Sequence, residues 1–287
     1  MADTALRFDR NGLDTWTGET SFEVTRERLA EYAEATNDPI PAHRAGDIAS
    51  PVFAIVPVFQ SLLEPALEVV PTALLGKVLH GEQDFRFHRP IRPGDQLSAK
   101  GKMTGWKGLS NGTAACVYLE TRDHDGVLVN EQYVTFFVRG FDTGDTVGTP
   151  PPEHRFDESL RGREPVAVRT QHLDEDQTFR YGPAAGDPMP IHLDEEVAKA
   201  AGLPGIIAHG LCTLAFASWA VLTEVGGSDT SRLKRLAVRF AKPVLPGQDI
   251  TTRVWKAGSA DGVTSYAYET TVGETVVLKD GLAELAD

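Results

Sequence analysis

The chain carries a second copy of part of itself. One stretch reads Tyr32-Ala-Glu-Ala-Thr-Asn-Asp38-Pro39-Ile-Pro41-Ala-His43, and another reads Tyr181-Gly-Pro-Ala-Ala-Gly-Asp187-Pro188-Met-Pro190-Ile-His192. The Tyr, an Ala, the Asp, both Pro and the His match at an offset of 149 residues. A second pair lies further on: Arg86-Phe87-His-Arg89-Pro90-Ile-Arg-Pro93-Gly94 matches Arg239-Phe240-Ala-Lys242-Pro243-Val-Leu-Pro246-Gly247 at an offset of 153. Two collinear matches with nearly equal offsets point to a duplicated unit, and 287 residues suffice for two small cores.

The join falls in 141–165, where Gly144, Gly148 and the run Pro150-Pro151-Pro152 interrupt any helix or central strand. The expected organisation is an N-terminal unit over 1–140, a linker over 141–165 and a C-terminal unit over 166–287. Each unit shows the same order. A short helix comes first (25–35, then 174 to about 179, where Asp174 and Gln177 have capping-box spacing). The Asp-Pro-x-Pro-x-His segment follows, and its prolines predict an irregular loop. A longer apolar helix comes next (56–69 and 210–225). Runs rich in Val, Thr, Tyr and Phe then predict strands at 114–120, 133–138, 236–240, 251–256, 264–271 and 275–278. Ser110-Asn-Gly112 and Asp261-Gly262 read as hairpin turns. The pattern is α+β.

Composition narrows the function classes. With 41% hydrophobic and 24% charged residues the chain reads as globular and soluble, not disordered. The net charge of −13 offers no overall field for nucleic acid or anionic lipid. No run approaches the roughly 18 apolar residues of a membrane span, and residues 1–10 show no secretory signal. Two cysteines, Cys116 and Cys212, without any CxxC pair, suit free thiols in a reducing cytoplasm rather than a metal site.

Asp187 and His192 are the sharpest candidates for chemistry. A loop stiffened by two prolines can hold a carboxylate and an imidazole toward one water, as an acid/base pair requires. The spacing alone equally allows an Asx turn and a structural histidine. His209-Gly210 opens the long apolar helix of the second unit, where amides lack intrahelical partners and the dipole is positive. Such an amide suits an oxyanion, and an ordinary helix start has the same sequence. The repeat discriminates between the units: carrying the offset of 153 backwards sets Gly210 on Pro57, which has no N–H to donate. One working site is expected, in the C-terminal unit, with Asp38 and His43 left in a degenerate one.

The set Asp187-Pro-Met-Pro-Ile-His192, Ala208-His209-Gly210-Leu-Cys-Thr213 and Arg239-Phe240-Ala-Lys242-Pro243 resembles the MaoC-like (R)-specific enoyl-CoA hydratases and dehydratases, especially the hydratase portion of peroxisomal multifunctional enzymes. Leu79-His80-Gly81-Glu82-Gln83 is similar to their first half. The resemblance covers the chain from about residue 20. It implies two fused hot-dog units, each a curved antiparallel sheet around a long helix. It also implies reversible hydration of trans-2-enoyl-CoA to (R)-3-hydroxyacyl-CoA, a lyase reaction of fatty acid metabolism using no metal or redox cofactor. Asp187, His192 and the Gly210 amide would be catalytic, and His80, Gly81, Lys107, Phe240 and His209 would contact the acyl-CoA. Two such chains would pair as a homodimer. The family motif carries Asn where this chain has Met189, which puts rate, loop rigidity and substrate shape in question. Two other readings stay open: a hot-dog acyl-CoA thioesterase, and a non-catalytic acyl-CoA binding protein. His88, His124, His154 and His172 show no convergent spacing, and Arg89/Arg92 and Lys234/Arg235 read as surface charge.

Overall fold

A computed structural model describes residues 6–287; residues 1–5 of the expected N-terminal unit lie outside it. Among the described residues six α-helices occur: α1 (Arg26–Ala35), α2 (Pro41–Arg44), α3 (Phe59–Val69), α4 (Gln177–Ala185), α5 (Glu195–Ala200) and α6 (Gly210–Val225). The strands of the first half are β1 (Thr20–Glu23), β2 (Val78–Phe87), β3 (Gln96–Leu109), β4 (Gly112–Asp123), β5 (Leu128–Arg139) and β6 (Thr146–Gly148). Those of the second are β7 (Ala167–His172), β8 (Leu233–Phe240), β9 (Asp249–Ala260), β10 (Val263–Val272) and β11 (Thr275–Ala286). All form one antiparallel sheet in the order β1-β3-β4-β5-β2-β8-β11-β10-β9-β7, with β6 beside β3.

The halves meet where β2 pairs with β8. In that ladder Asp84 lies opposite Ala237, its own counterpart at the offset of 153, with Glu82 opposite Arg239 and Arg86 opposite Arg235 on either side. A pseudo-twofold axis therefore passes through the Asp84–Ala237 pair. The same axis brings Tyr32 and Tyr181 together, their hydroxyls 3.2 Å apart in full burial. Leu211 to Leu222 of α6 are buried without a break. A helix apolar on every side must be enclosed, and α6 lies within the bend of β7, β8 and β9. α3 is shorter because Pro51 and Pro57 hold the preceding residues in a 3-10 turn and an irregular step.

Four expectations are corrected. The Asp-Pro-x-Pro-x-His segments are not wholly irregular: Pro41 starts α2 and Pro190 starts a 3-10 turn, since proline fits a first helical position. α4 begins at Gln177 and continues through Pro183 to Ala185, past the expected end near Phe179, because one missing N–H in a last turn is tolerated before Gly186 closes it in the left-handed region. Only half of the Asp174–Gln177 capping box forms, Gln177 Oε1 accepting from the Asp174 amide at 3.0 Å. The 141–165 segment is more ordered than a bare linker, since β6 adds to β3 and a 3-10 turn spans Glu158–Gly162.

Candidate active site

The chemistry-bearing residues of the second half converge at the start of α6. Asp187 follows α4, and the Met189 amide donates to its Oδ1 at 3.1 Å, so the loop holds the carboxylate by one oxygen. His192 closes the short turn begun by Pro190, and its Nδ1 donates to the Ile207 carbonyl at 2.8 Å. A backbone carbonyl only accepts, so Nδ1 carries the proton and the neutral ring keeps its lone pair on Nε2. The His209 ring stacks on His192 with centroids 3.8 Å apart, and Tyr181 packs on His209 at 4.9 Å.

Burial sets the charge states. It raises Asp187 above the usual carboxylate value, against the Met189 amide and His192. It lowers His192, against the Ile207 carbonyl and Asp187. Burial, then His192, holds His209 down at about 3. A carboxyl and an imidazole pushed toward each other in this way can exchange a proton at little cost.

Gly210 is the first residue of α6, whose N-cap His209 makes no side-chain capping bond, so the amide has no acceptor within the helix. A Cβ at Gly210 would stand 3.2 Å from the Phe240 ring, which in turn packs on His80 at 4.9 Å. Glycine here lets the ring close against the backbone. Burial lowers His80 to about 4. Gly81 sits at the register shift between His80 and Glu82, a bulge that turns β2 beside the site. The structure thus brings together Asp187, His192, His209, Gly210, Phe240 and His80, with Gly81 behind them. Lys107 stands apart. It shares a cross-strand row with Ala114, Phe137 and Leu79, three strand spacings or about 14 Å from β2. Trp106 next to it faces the core, so Lys107 points to the exposed face. Met189, where the resembled family has Asn, turns its side chain outward at 45% exposure while its amide keeps the loop contact.

The first half keeps the same pair and closes it. The Ile40 amide donates to Asp38 Oδ1 at 2.9 Å, as Met189 does to Asp187. There the likeness ends. His43 Nδ1 donates to Asp38 Oδ2 at 2.7 Å, and the Ser50 hydroxyl adds a second donor at 2.7 Å. Thr230, from the second half, sets its hydroxyl 2.5 Å from His43 Nε2. All four side chains are buried. Pro57 occupies the turn before α3, so the amide that Gly210 offers is missing. No motif marked Ser50, Thr230 or the Ile207 carbonyl in the sequence. Only the free or engaged state of each imidazole nitrogen, a three-dimensional fact, reveals them.

Asp187, His192 and His209 offer ligand atoms within 4.8 Å of one another, the spacing of a two-histidine, one-carboxylate set. The stack fits a metal poorly, because a shared ion must lie near both ring planes and these planes are inclined by only 27°.

A fold of two wrapped helices in one antiparallel sheet, with Asp187 and His192 gathered beside His209 at the start of α6, is that of the double hot-dog proteins of the thioester hydratase and dehydratase class. Residues 157–278 match the MaoC like domain, and residues 12–132 match the FAS1-like dehydratase domain region. The chain belongs to the MaoC-like hydratase and dehydratase family. It is 34% identical over 214 residues to the 3-hydroxyacyl-thioester dehydratase Y of Mycobacterium tuberculosis, 72% of each chain being covered. It is 30% identical over 231 residues to the peroxisomal multifunctional enzyme type 2 of Mus musculus, covering 79% of this chain and 30% of that one, so it spans under a third of the mouse protein's length. The crystal structure of a MaoC-like dehydratase from Phytophthora capsici superposes with a TM-score of 0.81 at 26% identity over 96% of both chains.

Proposed function

We propose that the protein is an (R)-specific enoyl-CoA hydratase, adding water reversibly to trans-2-enoyl-CoA to give (R)-3-hydroxyacyl-CoA at a single site in its C-terminal half. The observation that carries this reading is the contrast between the two pairs: Asp187 and His192 leave a carboxylate oxygen and an imidazole lone pair unengaged, whereas in Asp38 and His43 both are consumed. A relative named as a 3-hydroxyacyl-thioester dehydratase, which runs the same equilibrium, supports it.

In this mechanism one water sits between the free Asp187 oxygen and His192 Nε2. Its oxygen bonds to the β-carbon as an O–H bond breaks and the proton passes to the pair. The thioester oxygen gains enolate charge and is held by the Gly210 amide, with the α6 dipole behind it. The pair then delivers one proton to the α-carbon, leaving both groups as they began. His80 and Phe240 wall the acyl chain, and Lys107 meets the CoA portion where it leaves along the exposed sheet face. No metal or redox cofactor enters, a reading the ring stack supports. We take the site of action to be the cytoplasm, in keeping with two buried free thiols, and note that no helix among the described residues is long and apolar enough to cross a membrane. We take the assembly to be a homodimer, which the open edge of β7 and its exposed Val168 favour.

The test is a panel of enoyl-CoAs of graded size, followed by loss of the enoyl-thioester absorbance with chiral analysis of the product. An (R)-3-hydroxyacyl-CoA is expected. Release of free CoA thiol from a saturated acyl-CoA would make it a thioesterase, and tight binding without turnover a carrier.

A further inference from the structure

We infer that His209 is a third catalytic residue, which holds the reacting water together with Asp187 and His192. The inference rests on the hydratase reading and extends it. His209 is 1% exposed, and neither ring nitrogen has a hydrogen-bond partner. The Asp187 carbonyl faces the ring without the geometry of a hydrogen bond. A buried imidazole left unsatisfied is destabilising, and an apolar ring would fill the same space without that penalty. The nitrogens therefore answer to something that is not protein.

The geometry says what. One atom each of Asp187, His192 and His209 lie within 4.8 Å of one another. A triangle of that side has its centre about 2.8 Å from each corner, the length of a hydrogen bond to water. A water tolerates donors and acceptors tilted out of a ring plane far better than a metal ion does, so the stack that disfavours coordination still admits a water. The groups that face His209 are Asp187 and His192 from the proline-framed loop and Tyr181 from α4. Burial, then His192, keeps the ring neutral, so His209 works as a ring that makes a hydrogen bond and transfers no proton.

The first half supplies an internal control. The offset of 153 sets His209 on Val56, which has no polar atom. There the point beside the imidazole is taken by the Thr230 hydroxyl instead. The half that loses the water also lacks the third histidine.

The test uses His209→Phe, which keeps a stacked ring and removes both nitrogens, and His209→Gln, which restores a polar group, each in the full chain with crotonyl-CoA. The Phe variant is expected to lose about 10- to 100-fold in kcat with KM changed less than about threefold, and the Gln variant to recover part of it. Wild-type kcat in the Phe variant would overturn the inference. If neither variant gives a cooperative thermal transition, the ordered water in a high-resolution crystal structure of the wild type decides. A water within about 3.2 Å of all three side chains supports the inference, and one touching only Asp187 and His192 overturns it. A wild type that hydrates no enoyl thioester sinks the hydratase reading instead, and the water's position still judges His209.

Discussion

Two residues of identical type and spacing do opposite work in this molecule. Asp187 keeps an oxygen free, while Asp38 accepts from Ile40, His43 and Ser50 in a space closed to solvent. Removing charge from each should separate the effects. Asp187→Asn is expected to lower kcat by at least about 10³-fold with little change in stability, since a half-buried carboxylate holding one loop amide is lost. Asp38→Asn is expected to leave kcat within about threefold and to destabilise the fold by about 2 to 4 kcal/mol, because three buried donors lose a charged acceptor. Steady-state rates and urea midpoints for both variants check this, and equal loss of rate in the two would remove the single-site claim. Asp187 and His192 could be singled out in the sequence because a proline-framed Asp and His recur at a fixed offset. Ser50 and Thr230 were not, because hydroxyls that fill a vacated position belong to no repeat and no spacing rule.

Helix α6 does two jobs that constrain each other. Its body is the core of the second half, and its first residue is the proposed oxyanion donor. Gly210→Ala adds a methyl group 3.2 Å from the Phe240 ring, tighter than ordinary contact. The helix itself gains from the change by up to about 1 kcal/mol. The expected variant is as stable as the wild type and about 10-fold or more slower, since the displaced ring and methyl crowd the amide. A melting curve and kcat measured side by side test it, and an unchanged rate would argue that the amide faces no substrate. Most elements could be read from the sequence, and α6 within a residue, because an all-apolar run bounded by glycines leaves little choice. Six strands were read but cut short, and β1, β2, β3, β6 and β7 were not read: β9 runs on to Ala260 along an exposed hairpin end, and β11 runs past the polar Lys279-Asp280 to buried Ala283 and Leu285. The one-turn α2 was hidden by prolines that start helices as readily as they stop them.

At the scale of the whole molecule, the β2–β8 seam fixes what the halves can do alone. Arg235 makes a bidentate pair with buried Asp84 across it, at 2.9 and 2.8 Å. Separated, the second half exposes Leu236, Ala237 and Val238, all wholly buried in the chain, and leaves Arg235 without its carboxylate. Pairing β8 with a second β8 sets Ala237 where Asp84 stood. Residues 157–287 expressed alone are therefore expected to aggregate or associate non-specifically rather than give a discrete dimer, which size-exclusion chromatography would show. Acid acts on the same scale. Below pH 6.5 the unfolded chain takes up protons on rings that the fold keeps neutral, His209 until about pH 3 and partly exposed His80, to a lesser degree, until about pH 4. Each fully buried ring shifts the balance toward unfolding by on the order of 1.4 kcal/mol per pH unit. Urea midpoints should hold level from pH 8 to 7 and fall steadily from 6.5 to 5. A midpoint as high at pH 5 as at pH 7 would contradict it.

The hydroxyl that closes the first half's Asp38–His43 pair also carries an evolutionary consequence. Thr230 is borrowed from the other repeat, so the contact that blocks one cavity also ties the two copies together. Reopening that cavity means dissolving the tie, then releasing Ser50 and replacing Pro57, and every step weakens the molecule before a second turnover site exists to reward it. The contact is in this sense a ratchet: once a side chain of one copy completes the interior of the other, the two can no longer change independently.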